Sequence, residues 1–256
     1  MVSQRNRIID IINYIESCGI KINIGKNKAR GNRGFFKVSN NSYRIDVAKN
    51  LDDDSIIKTL SHEFAHFIHF QYDKTLNSLN FIFDENDDVT EELISATVLT
   101  IPKKDITPLF NQKTSLEREI LNLKSKLKLF PDNYKTIENK IKKTNLKYLL
   151  NYDNVKIIEG FKFKLYTVDA LSYDNDVNLL LHLRSKQRLL KKVNSKISKL
   201  NKYYNSPTEL FARSFELFIT NSNSLKTNAP IVYSFYDDAL RENKIPLLTD
   251  FVNLFK

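Results

Sequence analysis

The chain has 256 residues and is 41% hydrophobic, with 17 Phe and 12 Tyr but only 5 Gly and 6 Pro, which suffices for a sizeable packed core and excludes collagen-like and low-complexity classes. One cysteine, Cys18, excludes an intrachain disulfide; no stretch is long and apolar enough to cross a bilayer, and the first apolar run is broken at Asp10, Asn13 and Glu16, too early for a signal peptide. A cytoplasmic protein with no membrane partner is expected. The net charge of +10 is unevenly placed: residues 1–112 hold 14 Lys+Arg against 15 Asp+Glu, residues 113–150 hold 10 against 4, and residues 184–202 hold 8 against none. Lys and Asn are frequent and Trp is absent, the bias of an AT-rich genome, so part of the basic excess reads as compositional.

Ile8, Ile9, Ile11, Ile12 and Ile15 cluster on one helical face, and Gly19 is placed to stop that helix. Ile20–Ile24 and Tyr43–Val47 alternate as strands do, and the glycine-bearing stretch 25–41 between them reads as a long turn. A helix is predicted from about Asp53 to Tyr72, with Asp52-Asp53-Asp54-Ser55 supplying an N-cap and negative charge at the positive end of the dipole. Ile56, Leu60, Phe64 and Phe67 make its buried stripe. A second helix is predicted near Val89–Leu99, ended by Pro102.

From about residue 111 the pattern changes. Leu116, Ile120, Leu123, Leu127 and Phe130 keep a four-three spacing, Pro131-Asp132-Asn133 marks a turn, and Ile137, Ile141 and Tyr148 continue on a return helix. After a strand-like piece over Val155–Val168, a third helix presents Lys186, Leu190, Val193, Ile197, Leu200 and Tyr204. The domain reading is a catalytic body over 1–110 and 205–256, interrupted by a basic, coiled-coil-like helical insertion over 111–204. The fold class is α+β.

His62-Glu63-Phe64-Ala65-His66 is an HExxH motif on the Asp53–Tyr72 helix. Two histidines four apart share a helical face, so both can reach one tetrahedral zinc ion. Glu63, beside them, is placed as a general base toward a metal-bound water. With 4 His and 12 Glu in the chain, chance supplies HExxH roughly 0.003 times. His69, too far along the helix to share an ion with His62, reads as an outer or surface residue.

A catalytic zinc needs a third protein ligand. One candidate is Glu209 in Ser206-Pro207-Thr208-Glu209-Leu210-Phe211-Ala212-Arg213-Ser214-Phe215-Glu216, where Ser206 and Glu209 also fit a helix capping box. The other is Glu91 or Glu92, which also fit as first-turn acids favoured by the helix dipole.

The segment Tyr203–Glu216 resembles the C-terminal motif of zincin-like domains in large polyvalent proteins of phages and mobile elements and, more loosely, the third-ligand helix of the anthrax lethal factor family. That resemblance implies a zincin-like metallopeptidase core of gluzincin type. It further implies Glu209 as third ligand, a protein or peptide substrate, a phage-associated or bacterial setting, and a tyrosine before the ligand as oxyanion donor, for which Tyr203 and Tyr204 are candidates, with Tyr233 and Tyr236 weaker ones and Arg213 as an orienter of Glu209. The strand Tyr43–Val47 resembles the zincin edge strand that holds substrate, which implies Tyr43, Arg44 and Ile45 as substrate contacts. A rival resemblance, to ImmA-like regulatory peptidases, rests on Glu91 lying eleven residues before Pro102 and implies Glu91 as ligand. A different function class is a binding protein whose basic helices 113–150 and 184–202 contact nucleic acid or an acidic partner.

Overall fold

A computed structural model describes residues 4–26, 33–40, 42–84, 86–101, 103–156, 162–164 and 174–256. The chain divides into two compact units, Met1–Ile101 with Lys202–Lys256, and Pro102–Asn201. The division falls at 101/102, just before the helix that starts at Lys103, and at 201/202. No described helix is long and apolar enough to cross a membrane.

The first unit opens with α1 (Gln4–Ser17), which buries Ile8, Ile11 and Ile15. Gly19, at φ +81°, closes it in the left-handed conformation that costs glycine least. Strands β1 (Ile20–Lys26), β2 (Gly34–Ser39) and β3 (Ser42–Ala48) form a sheet in the order β1-β3-β2, with β1 parallel and β2 antiparallel to β3.

Two sequence expectations change here. The stretch 25–41 is not one long turn: it contains β2, whose burial pattern lacks the alternation that marks a strand in sequence. And Tyr43, Arg44 and Ile45 lie on the central strand, paired on both sides. A central strand has no free backbone edge on which to seat a peptide, so the expectation that a substrate adds as a strand along 43–47 is corrected.

Helix α2 (Asp53–Tyr72) starts at Asp52, whose carboxylate accepts from Ser55 N at 2.7 Å. Its stripe of Ile57, Leu60, Phe64 and Phe67 is buried, while Ile56 is only partly so. Asp73 ends the helix and accepts from Thr75 Oγ1 and from the backbone N–H groups of Thr75, Asn77 and Ser78. These bonds hold its carboxyl well below the usual range. Helix α3 (Asp87–Thr100) follows, capped by Asn86 accepting from Val89 N at 2.9 Å. Pro102, expected to end it, lies outside the described residues.

In the second unit α4 (Lys103–Leu127) is followed by α5 (Tyr134–Lys142), with Asn133 capping α5 through Thr136 N. The return helix is shorter than expected, since a 3-10 turn over Asn145–Leu150 replaces its end and Tyr148 is exposed. Within the strand-like stretch Val155–Val168, strands β4 (Asn154–Lys156) and β5 (Lys162–Lys164) pair antiparallel, and positions 157–161 and 165–168 lie outside the described residues. Helix α6 (Asn175–Tyr204) completes the unit and runs on into the first. The unit's own core gathers Ile120, Leu127, Ile137, Ile141, Leu180 and Leu181.

Back in the first unit come α7 (Pro207–Thr220), α8 (Ser222–Asn228), α9 (Pro230–Arg241) and α10 (Pro246–Asn253). An aromatic core joins α7 to the HExxH helix. Phe64 stacks on Phe251 at 4.7 Å between ring centroids, Phe251 meets Phe215 at 5.7 Å, and Phe218 stacks on Tyr236 at 4.8 Å. Rings of this size dominate core energetics, and such pairs add ~0.5–1.5 kcal/mol each beyond area burial.

Candidate metal centre

The aromatic side of α7 packs inward, which turns its opposite side, bearing Thr208, Glu209, Arg213 and Glu216, toward α2. Ser206 makes no capping hydrogen bond and its hydroxyl goes to Tyr203 O instead. Glu209 is therefore free of the capping role that competed with ligation. Its carboxylate, 2% exposed, stands 3.3 Å from His66 Nε2 through Oε1 and 3.6 Å from His62 Nε2 through Oε2.

One donor atom from each of His62, His66 and Glu209 lies within 4.8 Å of the others. Ligands on a tetrahedral zinc at ~2 Å sit roughly 3.3 Å apart, close to the two contacts just given. Glu209 Oε2 is buried with ion-pair contacts to His62 and Arg213 but no hydrogen bond among the described residues, and a buried carboxylate oxygen without hydrogen bonds is costly. The donor set and this oxygen fit a metal ion.

Charge in the cluster points the same way. Burial favours the neutral form of His62, yet the carboxylates of Glu209 and Glu216, together with Glu63, outweigh it and raise its pKa to about 9. Burial opposes ionisation of Glu209, and the two histidines overcome it, holding the carboxyl far below its usual range. Without metal, protonated imidazole supplies the positive charge that this site attracts.

Each inner residue has a partner behind it. His62 Nδ1 faces Glu216 Oε2 at 3.3 Å, His66 Nδ1 lies 2.9 Å from Thr208 Oγ1, and Arg213 Nε lies 3.4 Å from Glu209 Oε2. With the proton on Nδ1, both Nε2 lone pairs point to the shared space. Arg213 is itself held by the Thr100 carbonyl at 3.4 Å and by the Tyr204 ring beneath it. Sequence reasoning named Arg213 beside Glu209 but gave no role to Thr208, adjacent to Glu209, or to Glu216, whose two-turn spacing from Glu209 was the available signal.

Glu63 is held from the sheet side. Its Oε2 accepts from Phe36 N at 2.7 Å, on β2. Gly34 allows this approach, for a Cβ there would run into Thr59 Cγ2 and come within 2.9 Å of Glu63 Oε1. Strand β2 is thus the sheet edge that touches the HExxH helix.

Of the tyrosines, Tyr203 has a ring 45% exposed and a hydroxyl whose pKa is pushed far above its usual value by loss of hydration and by the Glu209 charge beside it. Tyr204 is buried beside Arg213. Tyr236 is core, its hydroxyl 2.8 Å from Ser214 Oγ, and Tyr233 packs on Phe218. His69 is fully buried, bonded through Nε2 to Ser78 O at 2.9 Å and packed on Phe81 and Phe211. Glu91 and Glu92 lie outside the cluster. Glu91 is exposed, and Glu92 Oε2 accepts from Val232 N at 2.9 Å in the first turn of α9, a helix-capping role.

Residues 15–130 match the family model of the IrrE N-terminal-like domain, Peptidase_M78. The match supports a zincin-like metallopeptidase family. It covers the sheet and the HExxH helix and ends before Glu209, and the small sheet with its packed helices fits an α+β zincin-like fold. No curated protein and no solved structure matches the chain. The family match points to a peptidase-like protein, and the His62, His66 and Glu209 group could hold a metal ion.

Proposed function

We propose that the chain is a zinc-dependent endopeptidase in which His62, His66 and Glu209 hold one zinc ion and Glu63 is the general base. The observation that carries this reading is the meeting of the Glu209 carboxylate with both HExxH imidazoles, from residues 143 positions apart in the chain. When bound, the ion would polarise the scissile carbonyl and acidify a water. Glu63, fixed by the Phe36 N–H, takes the water proton and delivers it to the leaving amine. Tyr203 stays protonated far above neutral pH beside Glu209, so it is a donor to charge developing on the carbonyl oxygen. Strand β2 replaces 43–47 as the edge along which a substrate chain would add.

The family match keeps a second reading, a regulatory peptidase of the ImmA-like kind. The engagement of Glu92 with Val232 favours Glu209 as ligand in either reading. Metal analysis of purified protein beside a peptide-library cleavage screen tests the proposal. One equivalent of zinc and cleavage abolished by Glu63→Gln with zinc retained support it; activity unaffected by Glu63→Gln refutes it.

A further inference from the structure

The Pro102–Asn201 unit carries 22 Lys+Arg against 10 Asp+Glu, whereas the remainder carries 18 against 20. Compositional bias adds lysine everywhere and does not segregate it. Among the described residues of the unit, carboxylates are largely engaged in internal pairs: Glu117 with Lys113, Glu119 with Lys186, Glu138 with Lys142 and Arg184, Asp153 with Arg188, and Asp132 and Asp176 with Lys140. Lysine is what remains.

Two adjoining cavities of about 580 and 360 Å³ share Arg184 and Gln187 and so form one groove. Lys124 of α4, Lys128 just past its end and the partly exposed Tyr134 line one end, and Lys191 of α6 the other. Lys124, Lys128 and Lys191 are exposed and make no ion pair among the described residues. Glu138 is the single acid on the groove wall, and Arg184 and Lys142 already neutralise it. Beyond the groove α6 continues with exposed Lys192, Lys196 and Lys199. From Lys191 to Lys199 these cations extend ~12 Å along the helix at ~1.5 Å per residue. A linear polyanion matches such a row better than the compact acidic patch of a folded protein, and a tyrosine beside a basic groove offers a face on which a base can stack.

We propose that this groove binds the phosphate backbone of a nucleic-acid strand, with Lys124, Lys128 and Lys191 as the charge-bearing contacts. Lysine ammoniums act as point charges on phosphate, so the binding is independent of base sequence. The proposal is independent of the zinc site.

The test is fluorescence anisotropy of the full chain with labelled oligothymidine and with a DNA duplex, each of about 20 nucleotides per strand, across a salt series. Binding that weakens steeply with salt is expected. The triple charge reversal Lys124→Glu, Lys128→Glu and Lys191→Glu should lower affinity at least ~10-fold and flatten the log–log salt slope by about 2 on the single strand. Reversal of three exposed lysines of the other unit, Lys21, Lys49 and Lys244, should leave affinity within about twofold, with circular dichroism showing both variants folded. Failure of both oligonucleotides to bind at low salt, or equal losses in the two triple variants, overturns the proposal. So does tighter binding of a polyglutamate peptide with the same three-lysine dependence, which would assign the groove to an acidic protein.

Discussion

His62 and His66 share one space because four residues advance a helix by slightly more than one turn, but what holds their rings there is a different helix. Glu216 and Thr208 stand behind the two Nδ1 atoms and Glu209 in front. Replacing Glu209 by Ala should abolish stoichiometric zinc, while Glu91→Ala and Glu92→Ala keep it, as read by metal content after dialysis. Glu216→Ala and Thr208→Val should each weaken zinc affinity by ~10–100-fold, the usual cost of losing an orienting partner, with Thr208→Ser restoring most of it. Since His62 titrates near 9 in the metal-free site, zinc binding at pH 7 must expel its proton. Affinity should therefore rise with pH up to about 9, and calorimetry in buffers of different ionisation heat should show about one proton released. The same raised pKa stabilises the metal-free fold below the unfolded histidine value of ~6.5, and that contribution is lost as pH climbs through about 9.

At the scale of elements, β2 and α7 set the site from opposite sides. Gly34 lets β2 lie against Glu63, and Gly34→Ala should overpack this contact at a cost of ~1–3 kcal/mol in thermal or denaturant unfolding. Catalysis should fall further than zinc affinity, because Glu63 is displaced while the ligands stay. Helix α7 is placed by its buried aromatic side, where Tyr236 bonds Ser214. Tyr236→Phe removes the buried bonds of this hydroxyl to Ser214 Oγ and the Phe211 carbonyl and should cost ~1–2 kcal/mol with zinc stoichiometry unchanged. Burial pushes the Tyr236 hydroxyl far above its usual pKa, so it stays a donor throughout the working pH range.

For the whole molecule, the informative feature is where the second unit leaves and rejoins the first. Thr100 and Tyr204 both touch Arg213, so the chain ends flanking the insertion are neighbours. Replacing residues 103–201 by a short Gly/Ser linker should leave a folded first unit, with loop closure costing little. That variant should bind one zinc, as measured by metal content, and lose oligonucleotide binding. Loss of zinc would show that the inserted unit supports the metal site.

The sequence by itself determined whatever is local or compositional: the capped Asp53–Tyr72 helix, the placement of His62, Glu63 and His66 on it, the turn at Pro131–Asn133, and the concentration of lysine between residues 102 and 201. Helical periodicity and turn chemistry act over a few residues and so are written in adjacent letters. Only the tertiary structure decided which glutamate lies beside the two imidazoles and which strand lies at a sheet edge. The physical reason is common to both. Glu209 and Glu92 have equally good local patterns, and what separates them is which one packing turns toward the imidazoles and which one a distant backbone N–H has already claimed.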